Sequence, residues 1–262
     1  MKSELLVAFI LIAPLTPMIA EKQGDENPYD RSLEPSKSFH EAREFVETKQ
    51  FAEAYAVHQR MFSNIKDYRP NVFFLTVYNL TYDWHRAAEE YPPAMKGLLE
   101  YRDRLEKRLQ GLHGGNDEPS IEDRIAVRTV FSFGEWLGED ERSADLFDSI
   151  EVNYPGLADG MYFHCKDALI RAGRFATIVK YEPDPAGIAD RAAAVFTVTI
   201  KARPDLESMA TKRFETDIVK CLDAFSALGK NIEMERLRKL ALNVVSSERI
   251  RQHLPWKNPN GG

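Results

Sequence analysis

The strongest constraint on this chain is a series of amphipathic stretches with helical spacing, each closed by glycine or proline. Apolar residues recur every three or four positions, which places them on one face of an α-helix. Clear examples are residues 73–91, which end at the Pro92-Pro93 pair, and residues 206–228, which end at Gly229. Because each stretch must bury its apolar face, the spacing predicts an all-α fold of about ten helices, with short-looped neighbours packed antiparallel.

One segment carries a competing signal for β-structure. The sequence AVFTVTI at residues 194–200 is dense in β-branched residues, which favour strands. The segment is short, however, and it lies within a pattern of apolar residues that also fits a helix. We therefore predict that residues 194–200 are helical.

The composition is that of a chain with a buried core, and it excludes several classes of protein. The chain has 262 residues, of which 44% are hydrophobic and 29% charged, so it is not disordered throughout. Its net charge of −6 argues against a general nucleic-acid-binding protein, which needs concentrated positive charge. We expect one continuous helical domain at residues 37–254, with the polar break at 113–120 as a candidate hinge.

The first 20 residues have the pattern of a secretory signal peptide. A charged start with Lys2 precedes a short apolar run, and the chain turns polar directly after Ala20. The run is too short to span a membrane, and Pro14 and Pro17 disfavour the alternative, a buried helix. We therefore predict an exported protein, periplasmic or secreted, cleaved near Ala20 and without a membrane span in its mature form.

Two polar segments flank the helical domain. Residues 21–36 have no apolar periodicity, which predicts a flexible leader. Residues 255–262 are rich in proline, asparagine and glycine, which predicts a disordered tail.

Residues 38–65 have the features of a paired-helix unit. They combine a small residue and a following aromatic in the first helix, Ala42 and Phe45, a turn at residues 49–51, and Ala54 early in the second helix. In these features the segment resembles one unit of the tetratricopeptide repeat family. Lys49 departs from the glycine that the family prefers in this turn. The resemblance implies that Ala42 and Ala54 mark the closest approach of two helices, and that Phe45 and Phe51 fill the space beside them.

Degenerate versions of this unit occur later in the chain, at residues 137–155, 169–181 and 227–242. Their spacing departs from the family's period of about 34 residues. The resemblance implies an α-solenoid of antiparallel helix pairs, with a concave groove that binds peptides or partner proteins. The alternative is an unrelated, irregular helical bundle.

The sequence lacks the motifs that carry common chemistry. It has no His-Glu-x-x-His zinc motif, no nucleophile elbow, no Walker loop and no dinucleotide-binding glycine pattern. We therefore predict no catalytic, cofactor or metal site. The two cysteines, Cys165 and Cys221, lie on the apolar stripes of two helices, where they either form a disulfide or remain buried thiols.

Aromatic residues supply the one hint of a binding site. Phe74, Tyr78 and Tyr82 lie outside the main apolar stripe of their helix. They either line a groove or pack as a second face against neighbouring helices.

These observations lead to two hypotheses for the function. The first is a non-catalytic module that binds another protein or a peptide and does not bind nucleic acid. The alternative is a helical enzyme, a hydrolase or a lyase, that uses paired carboxylates such as Glu89 and Glu90, or those at residues 139–141.

Overall fold

The structure is a computed structural model, and it describes residues 35–65, 70–114 and 118–253. These residues form twelve α-helices and one short 3-10 turn, and they contain no strand, which confirms the all-α prediction. The helices are α1 (Pro35–Glu47), α2 (Phe51–Ser63), α3 (Pro70–Glu90), α4 (Pro92–Gln110), α5 (Ile121–Leu137), α6 (Asp140–Asn153), α7 (Pro155–Arg171), α8 (Phe175–Tyr181), α9 (Pro185–Ala202), α10 (Glu207–Ala227), α11 (Asn231–Val244) and α12 (Glu248–Arg251). Two short helices, α8 and α12, account for the larger number of helices compared with the prediction.

The described residues form two compact units. The N-terminal unit contains α1 to α7 and ends at Ala172, and the C-terminal unit begins at Gly173 and contains α8 to α12. The hinge expected at residues 113–120 lies inside the N-terminal unit and remains a prediction.

Several predicted segments lie outside the described residues. They are the signal peptide at residues 1–20, most of the leader at 21–36, and the tail at 255–262. Within the described ranges, none of the helices combines the length and the apolar character needed to cross a bilayer.

The helix ends follow local sequence signals. At the start of α5, the Ser120 hydroxyl accepts a hydrogen bond from the Asp123 backbone N–H at 3.1 Å, and this satisfies a donor that has no partner within the helix. The same helix ends at Gly138, whose φ of 71° is a left-handed conformation that suits glycine. At the start of α9, the Asp184 carboxylate accepts from the N–H groups of Ala186 and Gly187, both at 3.0 Å.

The segment at residues 194–200 lies within α9, as predicted. The Thr199 hydroxyl donates to the Val195 carbonyl at 2.8 Å, a contact that occupies its polar group within the helix. On the packed side of α9, the rings of Phe196 and Phe214 have centroids 5.8 Å apart.

The helices of the N-terminal unit are arranged in two series. Each helix packs against the next one in sequence, and in addition α1 contacts α3, α3 contacts α5, and α5 contacts α7. The even-numbered helices repeat this pattern, since α2 contacts α4 and α4 contacts α6. This arrangement is compatible with a helical-repeat fold.

The residues of α1 and α2 on which the family resemblance rests are buried or partly buried. Ala42 and Ala54 are both 0% exposed, and the partly buried rings of Phe45 and Phe51 pack beside Ala54. Lys49, in the turn between the two helices, has a φ of 60°, which lies in the left-handed region that glycine adopts most easily.

The core of the N-terminal unit is centred on Trp84. This side chain is 2% exposed, and the ring of Phe133 meets it edge-on at 5.7 Å. The Trp84 indole N–H donates to the Ala94 carbonyl at 3.1 Å, and the Tyr101 hydroxyl donates to the Phe62 carbonyl at 3.2 Å. The aromatic residues of α2, α3, α4 and α5 therefore form one core in which these polar groups are satisfied.

The C-terminal unit has its own core around α10. Phe214, Ile218 and Phe225 are almost completely buried there. Glu182 is 4% exposed, and its carboxylate accepts from Arg191 at 2.8 Å and from the Cys221 thiol at 3.6 Å. A buried carboxylate needs such partners to offset its desolvation.

Candidate functional site

The three aromatic residues predicted to form a binding site lie together on one face of α3. Phe74, Tyr78 and Tyr82 are four residues apart, which is close to one helical turn, and all three are half-buried. The ring of Trp136 on α5 lies 5.0 Å from the ring of Tyr78 and 4.9 Å from that of Tyr82. We call these four residues the aromatic surface. They pack against a neighbouring helix and remain partly accessible to solvent.

Trp136 is the member of this surface that sequence reasoning missed. It lies one position before Leu137, outside the main apolar stripe of α5. A search for aromatic residues outside the main stripe, which identified Phe74, Tyr78 and Tyr82 on α3, would also have found it. Its indole N–H is buried and forms no hydrogen bond in the described part of the chain. A buried donor without an acceptor costs about 1–3 kcal/mol, so the part of Trp136 that a ligand can contact is the partly exposed ring.

Arg128, also on α5, lies next to the aromatic surface and is only 8% exposed. Its guanidinium lies over the ring of Phe74, with the central carbon 4.7 Å from the ring centroid. Among residues 35–65, 70–114 and 118–253, no carboxylate pairs with it. Burial lowers the pKa of Arg128 to about 10, so the side chain still carries a positive charge at neutral pH.

His164 on α7 also contacts Phe74. The two rings meet edge-on, with centroids 5.2 Å apart. Part of the His164 side chain is accessible to solvent, yet the surrounding side chains desolvate the ring. This desolvation, helped by the charge of Arg128, lowers the pKa of His164 to about 4, so the imidazole is neutral at pH 7. Arg128 therefore supplies a positive charge beside Phe74, and His164 adds none.

Polar groups surround the tyrosines of the aromatic surface. Burial raises the pKa of Tyr78, and the charge of Glu135 and a hydrogen bond to it raise the pKa further. The guanidinium of Arg86 lies over the ring of Tyr82, at 5.8 Å from its centroid. The aromatic surface therefore combines apolar area with hydrogen-bonding groups, which suits the recognition of a peptide.

The two cysteines are buried free thiols, Cys165 in the N-terminal unit and Cys221 in the C-terminal unit. Burial raises the pKa of Cys165 well above its usual value, which disfavours the reactive thiolate form. The disulfide that the sequence allows remains a prediction.

The carboxylates of the enzyme hypothesis lie at the end of α3 and at the start of α6. Glu89 and Glu90 are exposed at the end of α3. Glu139 accepts a hydrogen bond from Arg102, and Asp140 accepts one from Arg171 at 2.9 Å. Within the described ranges, no three His, Cys, Asp or Glu residues are grouped in a way that would hold a metal ion.

The chain was also compared with known proteins, and no protein-family model, curated protein or solved structure matches it.

Proposed function

We propose that this protein is an exported, non-catalytic module that binds another protein or a peptide on the aromatic surface of its N-terminal unit. The observation that carries the proposal is the grouping of Phe74, Tyr78, Tyr82 and Trp136, all half-buried, beside Arg128. Within the described ranges this arginine has no ionic partner. Aromatic residues and arginine are enriched where proteins bind each other, because they combine a large apolar area with hydrogen-bond donors.

We further propose that the N-terminal unit is a short, tetratricopeptide-like α-solenoid. Phe74 lies near Arg128, while Tyr78 and Tyr82 lie near Trp136, so α3 and α5 run in the same direction. First helices of successive helix pairs in a solenoid are parallel neighbours in this way. The serial contacts of α1, α3, α5 and α7 fit the same arrangement, in which one layer of helices lines a binding surface.

Site-specific photo-crosslinking tests the proposed binding surface. A photoreactive amino acid at position 82 should form a discrete covalent adduct with the partner when the protein is made in its native compartment. Mass spectrometry of the adduct then identifies the partner. A matched probe at position 152 serves as the control, because Val152 on α6 is 78% exposed and lies outside the aromatic surface.

The substitution Trp136→Ala, combined with the probe at position 82, should abolish the adduct. It removes the indole ring that packs against position 82 in the wild-type chain and so removes part of the proposed binding surface. Circular dichroism should show that this variant keeps its helical content. Equal adducts from positions 82 and 152, or no adduct from position 82, would contradict the proposal.

A further inference from the structure

The side chain of Arg128 in the N-terminal unit is mostly buried, yet it has no ionic partner among the described residues. The residue is 8% exposed, and in the described part of the chain it forms neither an ion pair nor a hydrogen bond. Buried charges are normally paired, because removal from water is costly. The cation–π contact with Phe74 offsets part of this cost, but it involves the ring face and does not occupy the N–H donors.

We propose that Arg128 binds the side-chain carboxylate of an acidic residue in an extended peptide segment of the partner. This inference deepens the proposed function and rests on it, since it assigns the chemistry of the ligand that the aromatic surface would receive. Arginine suits the role because its planar donors match the two oxygens of a carboxylate.

Several features favour a carboxylate over a more highly charged phosphate. Beside Phe74, Arg128 provides one positive charge and the neutral His164 adds no second one, while Arg86 lies over Tyr82, eight residues further along α3. The charges of Glu135 and Asp167 act on nearby Tyr78, and they would repel a dianion more strongly than a monoanion. Arg171, the other cation that acts on Tyr78, is already paired with Asp140 at 2.9 Å.

The half-buried ring of Trp136, which contacts Tyr78 and Tyr82, sets a length for the ligand. Arg128 and Trp136 are eight residues apart on α5, which corresponds to about 12 Å along the helix. An extended peptide advances by roughly 3.3–3.6 Å per residue, so about three to four residues span this distance. The expected ligand therefore has an acidic residue three or four positions from the segment that contacts Trp136, Tyr78 and Tyr82.

The test is a titration of the intact, ¹⁵N-labelled chain with two matched peptides, followed by nuclear magnetic resonance. The probes are acetyl-Asp-Ala-Ala-Phe-amide and its twin with asparagine in place of aspartate, which differ only in the carboxylate. The Asp peptide should shift the Arg128 Nε–H and Trp136 indole N–H signals, and its affinity should exceed that of the Asn peptide by at least about tenfold.

Arg128→Gln should reduce the affinity for the Asp peptide to that of the Asn peptide. The matched control is Arg104→Gln, because Arg104 forms a similar cation–π contact with Tyr101 at 5.3 Å but is exposed on α4. This control should leave the affinity unchanged. The comparison of the two peptides on the wild-type chain is valid even if Arg128→Gln does not fold.

Each other outcome overturns the inference in a distinguishable way. Equal binding of both peptides at the aromatic surface would refute the role of Arg128 and leave the proposed binding function intact. If the chain bound inorganic phosphate more tightly than the Asp peptide, the ligand of Arg128 would be a phosphate group and not a carboxylate. The absence of any shift would refute the carboxylate site, while the crosslinking experiment at position 82 would still decide the proposed function separately.

Discussion

His58 on α2 is fully buried in the core of the N-terminal unit, where its ring stacks on Trp84 with centroids 5.7 Å apart. Burial lowers the pKa of His58 from 6.5 to about 3, because the protonated ring would lose its hydration. The Ala54 carbonyl opposes this effect only in part, and within the described ranges neither ring nitrogen forms a hydrogen bond of normal geometry. His58 is therefore neutral in the folded protein at pH 7.

This burial predicts a loss of stability in acid. Between about pH 6.5 and pH 3 the unfolded chain binds a proton at His58 that the folded chain does not, so stability falls as the pH decreases. The contribution approaches about 1.4 kcal/mol per pH unit. Urea unfolding at several pH values should show that the free energy of unfolding depends less steeply on pH in His58→Leu than in the wild-type protein. An identical slope in wild type and variant would contradict the prediction.

Asp83 on α3 makes a contribution of the opposite sign. Burial raises the pKa of its carboxyl from 3.8 to about 6, although the Arg43 guanidinium at 3.2 Å favours the charged form. Its stabilising effect is therefore fully present below pH 3.8 and is lost as the pH rises through about 6. Asp83→Asn should remove this contribution. The stability of the variant should therefore fall more steeply than that of the wild-type protein as the pH decreases from 6 to 4. Urea unfolding of both proteins measures the difference, and a shallower slope in the variant would contradict the assignment.

At the scale of single elements, the turn between α1 and α2 has a strained backbone conformation at Lys49. Lys49 has a φ of 60°, and a left-handed conformation costs a residue with a Cβ about 1 kcal/mol relative to glycine. Lys49→Gly should therefore raise the free energy of unfolding by up to about 1 kcal/mol, as measured by urea denaturation. The matched control is Gln50→Gly, because Gln50 has a φ of −91° and gains nothing from glycine. Equal effects of the two substitutions would show that the turn is not strained at Lys49.

The helices were predictable because their signals are local. Apolar spacing defined α3 and α10, the Ser120 cap marked the start of α5, and proline or glycine marked the helix ends. The strained turn at Lys49 was also foreseeable, because the family resemblance places glycine at that position. Each of these features depends on residues within a few positions of one another.

The candidate site was only partly predictable, because its composition depends on contacts between distant helices. Phe74, Tyr78 and Tyr82 could be identified as candidates because they lie outside the main apolar stripe of α3. The sequence could not show which residues they contact. Trp136 and Arg128 join them only because α5 packs beside α3 with α4 intervening in sequence. The absence of a partner for Arg128 within the described part of the chain is a three-dimensional property that no short sequence pattern encodes.

At the scale of the whole molecule, each compact unit has its own core, and the aromatic surface lies entirely within the N-terminal unit. The net charge stays at −6 if residues 1–20 are removed, because they contain one lysine and one glutamate. The net charge of the chain therefore does not depend on the segment that we expect to be cleaved.

The predicted export can be tested on the mature chain as a whole, through the position at which its signal peptide is cleaved. Signal peptidases prefer small residues at the last and the third-last position before the cut, where this chain has Ala20 and Met18. Intact-mass spectrometry of the exported protein should find a chain that begins at Glu21. Met18→Ala should increase the fraction cut at this bond, whereas Ala20→Arg should block it. A full-length chain retained inside the cell would refute the export hypothesis, because the apolar segment would then act as part of the fold.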